Sequence, residues 1–86
     1  MQAEYTLKQA EMAKKRRLRF KATLAGKLLT CGTTQKKLAE EIGISENSMS
    51  HKSNNYESFT VGEMIRIANR LGTSVGVLIG ERNDII

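Results

Sequence analysis

Three times along the chain a glycine stands two residues before a serine or threonine: Gly32 before Thr34, Gly43 before Ser45, and Gly72 before Ser74. A glycine after a last helical turn takes up the left-handed backbone that stops a helix, and a serine or threonine hydroxyl accepts from the first free amides of the next one. The chain is therefore punctuated as helices that end and restart within a few residues. Between these marks the apolar side chains recur three and four apart, and no segment reads convincingly as a strand.

Residues 4–30 are rich in Ala, Lys, Leu, Arg, Met and Glu, all good helix formers. Leu7, Ala10, Leu18, Ala22, Ala25, Leu28 and Leu29 recur near helical spacing and are expected to form the apolar stripe. The reading is one helix over about residues 17–30, preceded by an extension, residues 1–16, that is either flexible arm or helix continuation. A second helix over residues 35–42 has Leu38, Ala39 and Ile42 as its apolar stripe. Its Lys36 and Lys37 stand four residues before Glu40 and Glu41, the arrangement of an outward, ion-paired face. Ser45 caps a third helix to about residue 53. That helix is peculiar: Glu46, Asn47, Ser48, Ser50, His51 and Lys52 are polar, and Met49 is its only large apolar residue. A helix so polar buries little, so core packing does not explain its composition.

Residues 54–58 read as a loop. Thr60 and Glu63 then make a capping box, with Phe59 and Met64 as the hydrophobic staple around it. The fourth helix runs to Leu71, with Met64, Ile67, Ala68 and Leu71 on one face. Gly72 stops it, and a short fifth helix over residues 75–79 follows before Gly80. The expected fold class is all-α: a compact five-helix domain over residues 17–80, a basic extension at residues 1–16 and a tail at residues 81–86.

Length and composition exclude several function classes. The 86 residues hold one core. At 40% hydrophobic and 27% charged, the chain fits a globular protein rather than a disordered one. No apolar run reaches the roughly 18–20 residues of a membrane span, and Met1 to Tyr5 lack the pattern of a secretory signal, so a cytoplasmic setting is expected. One cysteine and one histidine cannot furnish a four-ligand zinc site, and His51 has no partners for a catalytic triad. No metal, cofactor or catalytic role is expected, and Cys31 reads as a small, buried or half-buried filler.

Charge is unevenly placed. The net charge is +5, yet residues 1–30 hold eight basic against two acidic side chains, while residues 31–86 hold six against seven. The basic character sits in Lys14, Lys15, Arg16, Arg17, Arg19 and Lys21, a block suited to polyanions: nucleic acid first, an acidic membrane surface second.

The stretch from Gln35 to His51, with Leu38, Ala39, Ile42, Gly43, Ile44, Ser45 and Met49 at its key positions, resembles a helix-turn-helix of the lambda-repressor-like (Cro/repressor) family of phage and bacterial regulators. The resemblance covers about residues 18–80. The spacing has physical reasons: Leu38 and Ile42 pack on helix one, and Ala39 is small because the third helix crosses close by. Gly43 permits the turn, Ile44 plugs the gap, and Met49 anchors the third helix. Residues 49–55 are most similar to small phage Cro-like regulators, except that Ser53 stands where their pattern has leucine. Ser53 then either leaves the helix end loosely packed or faces a phosphate.

This resemblance implies a double-stranded DNA operator as partner. The third helix would enter the major groove, with Glu46, Asn47, Ser50 and His51 reading base edges. Thr34, Gln35, Lys52, Asn54, Asn55 and Tyr56 would contact phosphates, together with Lys14, Lys15, Arg16, Arg17 and Arg19. Gln35 would also bond the backbone and steady the reading helix. A homodimer on a palindromic site is implied, with Val75, Val77, Leu78, Ile79, Ile85 and Ile86 as its surface, though some of these residues could close the monomer core instead. Tyr5, Leu7 and Met12 offer a second candidate surface. The leading expectation is a sequence-specific transcriptional regulator, a repressor of the Cro type. An antitoxin-type module that holds a toxin and regulates its own operon is the alternative. A helix-turn-helix used for protein contacts or as an architectural factor is a third, and a membrane-surface role for the basic block is a distant fourth.

Overall fold

The structure, a computed structural model, describes the backbone of residues 2–80 and the side chains of residues 8–80. Among the described residues the chain is helical and contains no strand. Helix α1 spans Gln2–Thr30, α2 Gln35–Ile42, α3 Glu46–Asn54, α4 Val61–Arg70 and α5 Val75–Leu78. A single 3-10 turn, Tyr56–Ser58, joins α3 to α4 where a loop was expected. The Asn55 side chain nucleates that turn, its Oδ1 accepting from the Glu57 N–H at 3.3 Å.

The caps form as the sequence predicts. Thr34 accepts from Lys37 N–H at 3.1 Å, Ser45 from Ser48 N–H at 3.0 Å, and Ser74 from Val77 N–H at 3.2 Å. Each hydroxyl satisfies an amide that the first turn leaves free. Thr60 and Glu63 complete the reciprocal capping box, and Phe59 and Met64 are buried beside it. Between α2 and α3 only Gly43, Ile44 and Ser45 intervene. Gly43 has φ +85°, and its N–H and that of Ile44 both return to the Ala39 carbonyl. A residue with a Cβ would be strained there.

The core is built from one face of every helix. Leu38, Ala39 and Ile42 of α2, Met49 of α3, and Met64, Ile67 and Ala68 of α4 are buried, with Phe59, Leu71 and Leu78 closing the ends. Ile44 packs against this cluster from the α2–α3 turn.

Helix α1 buries Leu28 of the expected stripe but otherwise enters the core in a different phase. Phe20, Leu24 and Leu28 are its buried residues, while Leu18 is 61% and Leu29 84% exposed, and Ala22 and Ala25 are exposed as well. Phe20, inside the basic block, sets the phase. Its ring stacks on Tyr56 with centroids 5.4 Å apart and lies 5.9 Å from Phe59. An aromatic ring buries far more area than an alanine, so the face carrying Phe20 wins over the face carrying Ala22 and Ala25.

The boundary drawn at residue 16 falls inside α1, which runs unbroken. At about 1.5 Å per residue its length is about 43 Å, close to the molecule's longest dimension of 45 Å. No helix among the described residues is long and apolar enough to cross a membrane.

Two further expectations are corrected. Cys31 is exposed rather than half-buried, because it lies in the turn that ends α1; its Sγ is 3.7 Å from the Leu71 carbonyl. Glu41 pairs with Arg70 of α4 at 2.8 Å rather than with a lysine one turn earlier on its own helix. The neighbouring helix supplies the guanidinium that Glu41 accepts from.

Phe20 and Leu18 therefore separate the two readings of α1. We expect Phe20→Ala to cost about 3–5 kcal/mol, enough to unfold much of a domain this small. Leu18→Ala should change stability by less than about 0.5 kcal/mol. Urea unfolding followed by circular dichroism measures both.

Candidate nucleic-acid interface

Helix α3 shows the core only Met49 and Ser53, one turn apart. Met49 is fully buried. Ser53, also buried, donates its hydroxyl to the Ser50 carbonyl at 2.8 Å, so it does not face a phosphate. A serine satisfied by its own helix tolerates a buried site that would suit leucine. Asn54 donates its side-chain amide to the same carbonyl at 3.2 Å, tying down the last turn.

Glu46, Asn47, Ser50 and His51 are all exposed. Helical spacing places Asn47 and His51 opposite Met49 and Ser53, with Ser50 to one side. They form a solvated row of amide, hydroxyl and imidazole on a rigidly held helix. Glu46 lies in the first turn, where its carboxylate suits the helix dipole.

The flanking residues divide into two groups. Thr34 and Asn54 are exposed, as are Lys14, Lys15, Arg16 and Arg19 along α1. Gln35 is half-buried at the start of α2, and among the described residues its side chain makes no hydrogen bond to α3. Asn55 is half-buried, with its carbonyl oxygen engaged in the 3-10 turn.

The other three expected phosphate contacts are engaged by partners within the domain. The Lys52 ammonium donates to Glu63 Oε1 at 3.0 Å and sits 5.9 Å from the centroid of the Phe59 ring. Tyr56 spends its ring on Phe20. Arg17 donates from both Nε and Nη2 to Glu57 Oε1, at 3.0 and 2.7 Å. Lys52 and Tyr56 are part-buried, while Arg17 stays on the surface with its guanidinium paired. The reason is proximity of a carboxylate or an aromatic ring that the folded chain supplies from elsewhere.

Glu63 links the start of α4 to the end of α3. One carboxylate oxygen accepts from the Thr60 N–H at 2.9 Å and from Lys52 Nζ at 3.0 Å. The Thr60 backbone bond and then the Lys52 bond hold its pKa below the ordinary 4.5, against the opposing effect of burial. One carboxylate thus starts α4 and fastens the end of α3.

Two exposed cations were overlooked as candidate contacts. Lys36 and Lys37 occupy the first turn of α2, which contains no acidic residue. Cations there oppose the helix dipole, and an approaching anion would relieve that cost. Their unfavourable position was the available signal, hidden by their i, i+4 spacing to Glu40 and Glu41.

On comparison with known proteins, no family model, curated protein or solved structure matches the chain.

Glu63 makes the fold sensitive to acid. Its native pKa is lowered, so its contribution is fully present above the ordinary value and is lost as pH falls through the lowered native one. Wild-type protein should therefore lose melting temperature on acidification below about pH 4.5. Glu63→Gln should start lower at neutral pH and show a shallower decline, which a melting series from pH 7 to pH 3 reads directly.

Proposed function

We propose that the chain is a sequence-specific double-stranded DNA-binding regulator of the lambda-repressor-like helix-turn-helix type, acting as a homodimeric Cro-like repressor. The observation that carries this reading is α3: a nine-residue helix, Glu46–Asn54, that keeps Asn47, Ser50 and His51 in solvent while Met49 pins it to the core. A fold that needed α3 only for stability would bury more of it.

The chemistry suits base edges. Asn47 can bridge adenine, Ser50 can bond several bases, and Glu46 can accept from the cytosine amino group. A short turn at Gly43 and caps at Thr34 and Ser45 set the two helices in a fixed relation, which supports a docking with α2 across the DNA backbone and α3 in the groove. Exposed Lys14, Lys15, Arg16 and Arg19 are the cations whose phosphate contacts would release counterions.

One domain spans few base pairs, so the reading includes a dimer. Leu78 is fully buried in the monomer and offers nothing to a partner. Val75, Val77 and Ile79 keep part of their surface and remain the proposed contact; Ile85 and Ile86 lie outside the described residues. A second reading has its own observation. Met12 and Leu18 are 54% and 61% exposed on α1, an apolar surface that suits an antitoxin-type module holding a protein partner. Co-purification of a small partner with the tagged chain from its native host distinguishes it.

Selection from a random duplex library at about 150 mM salt tests the primary reading, because loose phosphate binding is already weakened there. The expected outcome is an enriched inverted repeat, with Asn47→Ala or Ser50→Ala relaxing a single position of each half-site. A well-folded protein that enriches nothing overturns the reading. On the selected site, replacing Lys14 and Lys15 by alanine should lower the salt slope by about one per lysine and leave base preference unchanged.

A further inference from the structure

The exposed apolar side chains of α1 are not scattered. Leu18 and Leu29 are 61% and 84% exposed, and Ala22 and Ala25 are exposed between them. The four are spaced four, three and four apart, the interval that keeps one seam of a helix facing a second helix. The seam is about 16 Å long. It lies about 130° round α1 from Phe20, Leu24 and Leu28, so α1 itself stands between the seam and the core that those residues share with α3 and α4. Single exposed leucines are ordinary; two in helical register, with apolar residues between them, make a face.

Charge borders this face on both sides. Lys14 and Lys21 lie along one edge, and Lys15 and Arg19 along the other. All four are exposed and, among the described residues, make no ion pair. From residue 12 to residue 30 the chain carries seven basic side chains and no acidic one. That composition decides what can cover the seam. The α1 of a second copy brings the same cations and no anion to meet them, so like charge opposes pairing of copies. A bilayer would supply anions, but binding to it scales with buried apolar area, to which alanine adds little. Ala22 and Ala25 instead let another helix axis approach to about 8 Å. Nucleic acid would engage the cations and leave both leucines in water.

We propose that the face of α1 from Leu18 to Leu29 docks an acidic amphipathic helix of another protein. Apolar side chains of that helix, three and four residues apart, meet Leu18 and Leu29, and its carboxylates meet Lys14 and Lys21 on one edge and Arg19 on the other. The leucines hold the partner and the cations select it. Three turns of helix bury less than the roughly 1,200 Å² of a stable complex, so the contact is reversible, with an affinity in the micromolar range. The proposal goes beyond the nucleic-acid reading and rests on no residue of α3.

The test uses the full chain and fluorescein-labelled synthetic helices of about 18 residues, five turns, in anisotropy titrations at about 150 mM salt. The first helix has leucine along its seam and glutamate on both edges. The second replaces the leucines by glutamine, and the third replaces the glutamates by lysine. The first should bind, and the other two should bind more weakly by about tenfold or more. Leu18→Ser with Leu29→Ser should weaken binding of the first helix about tenfold while leaving the melting temperature in place, because both positions are exposed. Lys14→Glu with Lys21→Glu should shift the preference toward the lysine helix. Failure of the first helix to bind overturns the proposal. Equal binding of the leucine and glutamine helices, or unchanged affinity of the serine variant, overturns it as well, because charge alone then acts. Tighter binding of the chain to phosphatidylserine–phosphatidylcholine vesicles than to the first helix, lost in the serine variant, assigns the face to a membrane instead. A wild-type dimer that sediments as a monomer in the serine variant assigns it to a second copy; either result overturns the proposal.

Discussion

Helix α3 has one large apolar side chain with which to hold itself to a domain, and the rest of the structure is arranged around that constraint. Met49 is fully buried among residues from the other helices. Alone, one methionine leaves a short helix free to rock, because helical propensity contributes little over nine residues. The Lys52–Glu63 bond stops that motion at the C-terminal end, and the Ser45 cap and the Gly43 turn stop it at the other. Side chains of Lys52 and Glu63 are only 22% and 11% exposed. An ion pair so placed adds little net stability over an apolar pair, yet removing one partner strands the other charge. It therefore serves to fix one orientation of α3, leaving the outward face unburdened by packing.

Much of this was legible in the order of residues. The stops and caps at Gly32, Gly43 and Gly72 and at Thr34, Ser45, Thr60 and Ser74 are local devices, and local devices can be read locally. The α2 stripe of Leu38, Ala39 and Ile42 and the α4 stripe of Met64, Ile67, Ala68 and Leu71 stand alone on their helices, so each admits one phase. Helix α1 admits two. Leu18, Ala22, Ala25 and Leu29 form as regular a stripe as Phe20, Leu24 and Leu28, and only tertiary contact with Tyr56 and Phe59 chooses between them.

The candidate site divides along the same line. Whether a polar side chain faces solvent follows from helical phase once Met49 is placed, so the exposure of Asn47, Ser50 and His51 was accessible. Whether a cation is already engaged depends on carboxylates brought near by folding. Glu57 reaches Arg17 across a separation of 40 residues, and Glu63 reaches Lys52 across 11. No spacing rule along a single helix covers either. At Ser53 the sequence admits a loosely packed helix end or a phosphate contact; the hydroxyl instead finds the Ser50 carbonyl three residues back, a short-range option that serines routinely have.

The unbroken course of α1 has a mechanical consequence. A disordered basic arm can wrap a ligand, but it gives up chain entropy when it does so. Lys14, Lys15, Arg16 and Arg19 instead ride on a helix whose C-terminal half is locked into the core through Phe20, Leu24 and Leu28. Their spacing is set before any ligand arrives, at about 1.5 Å of axial rise per residue. Such a rod cannot curl around a cylinder. It holds Lys15 and Arg19 on one side, with Lys14 and Arg16 turned about 100° to either flank, and a partner must match that fixed fan or leave some of the charges unused.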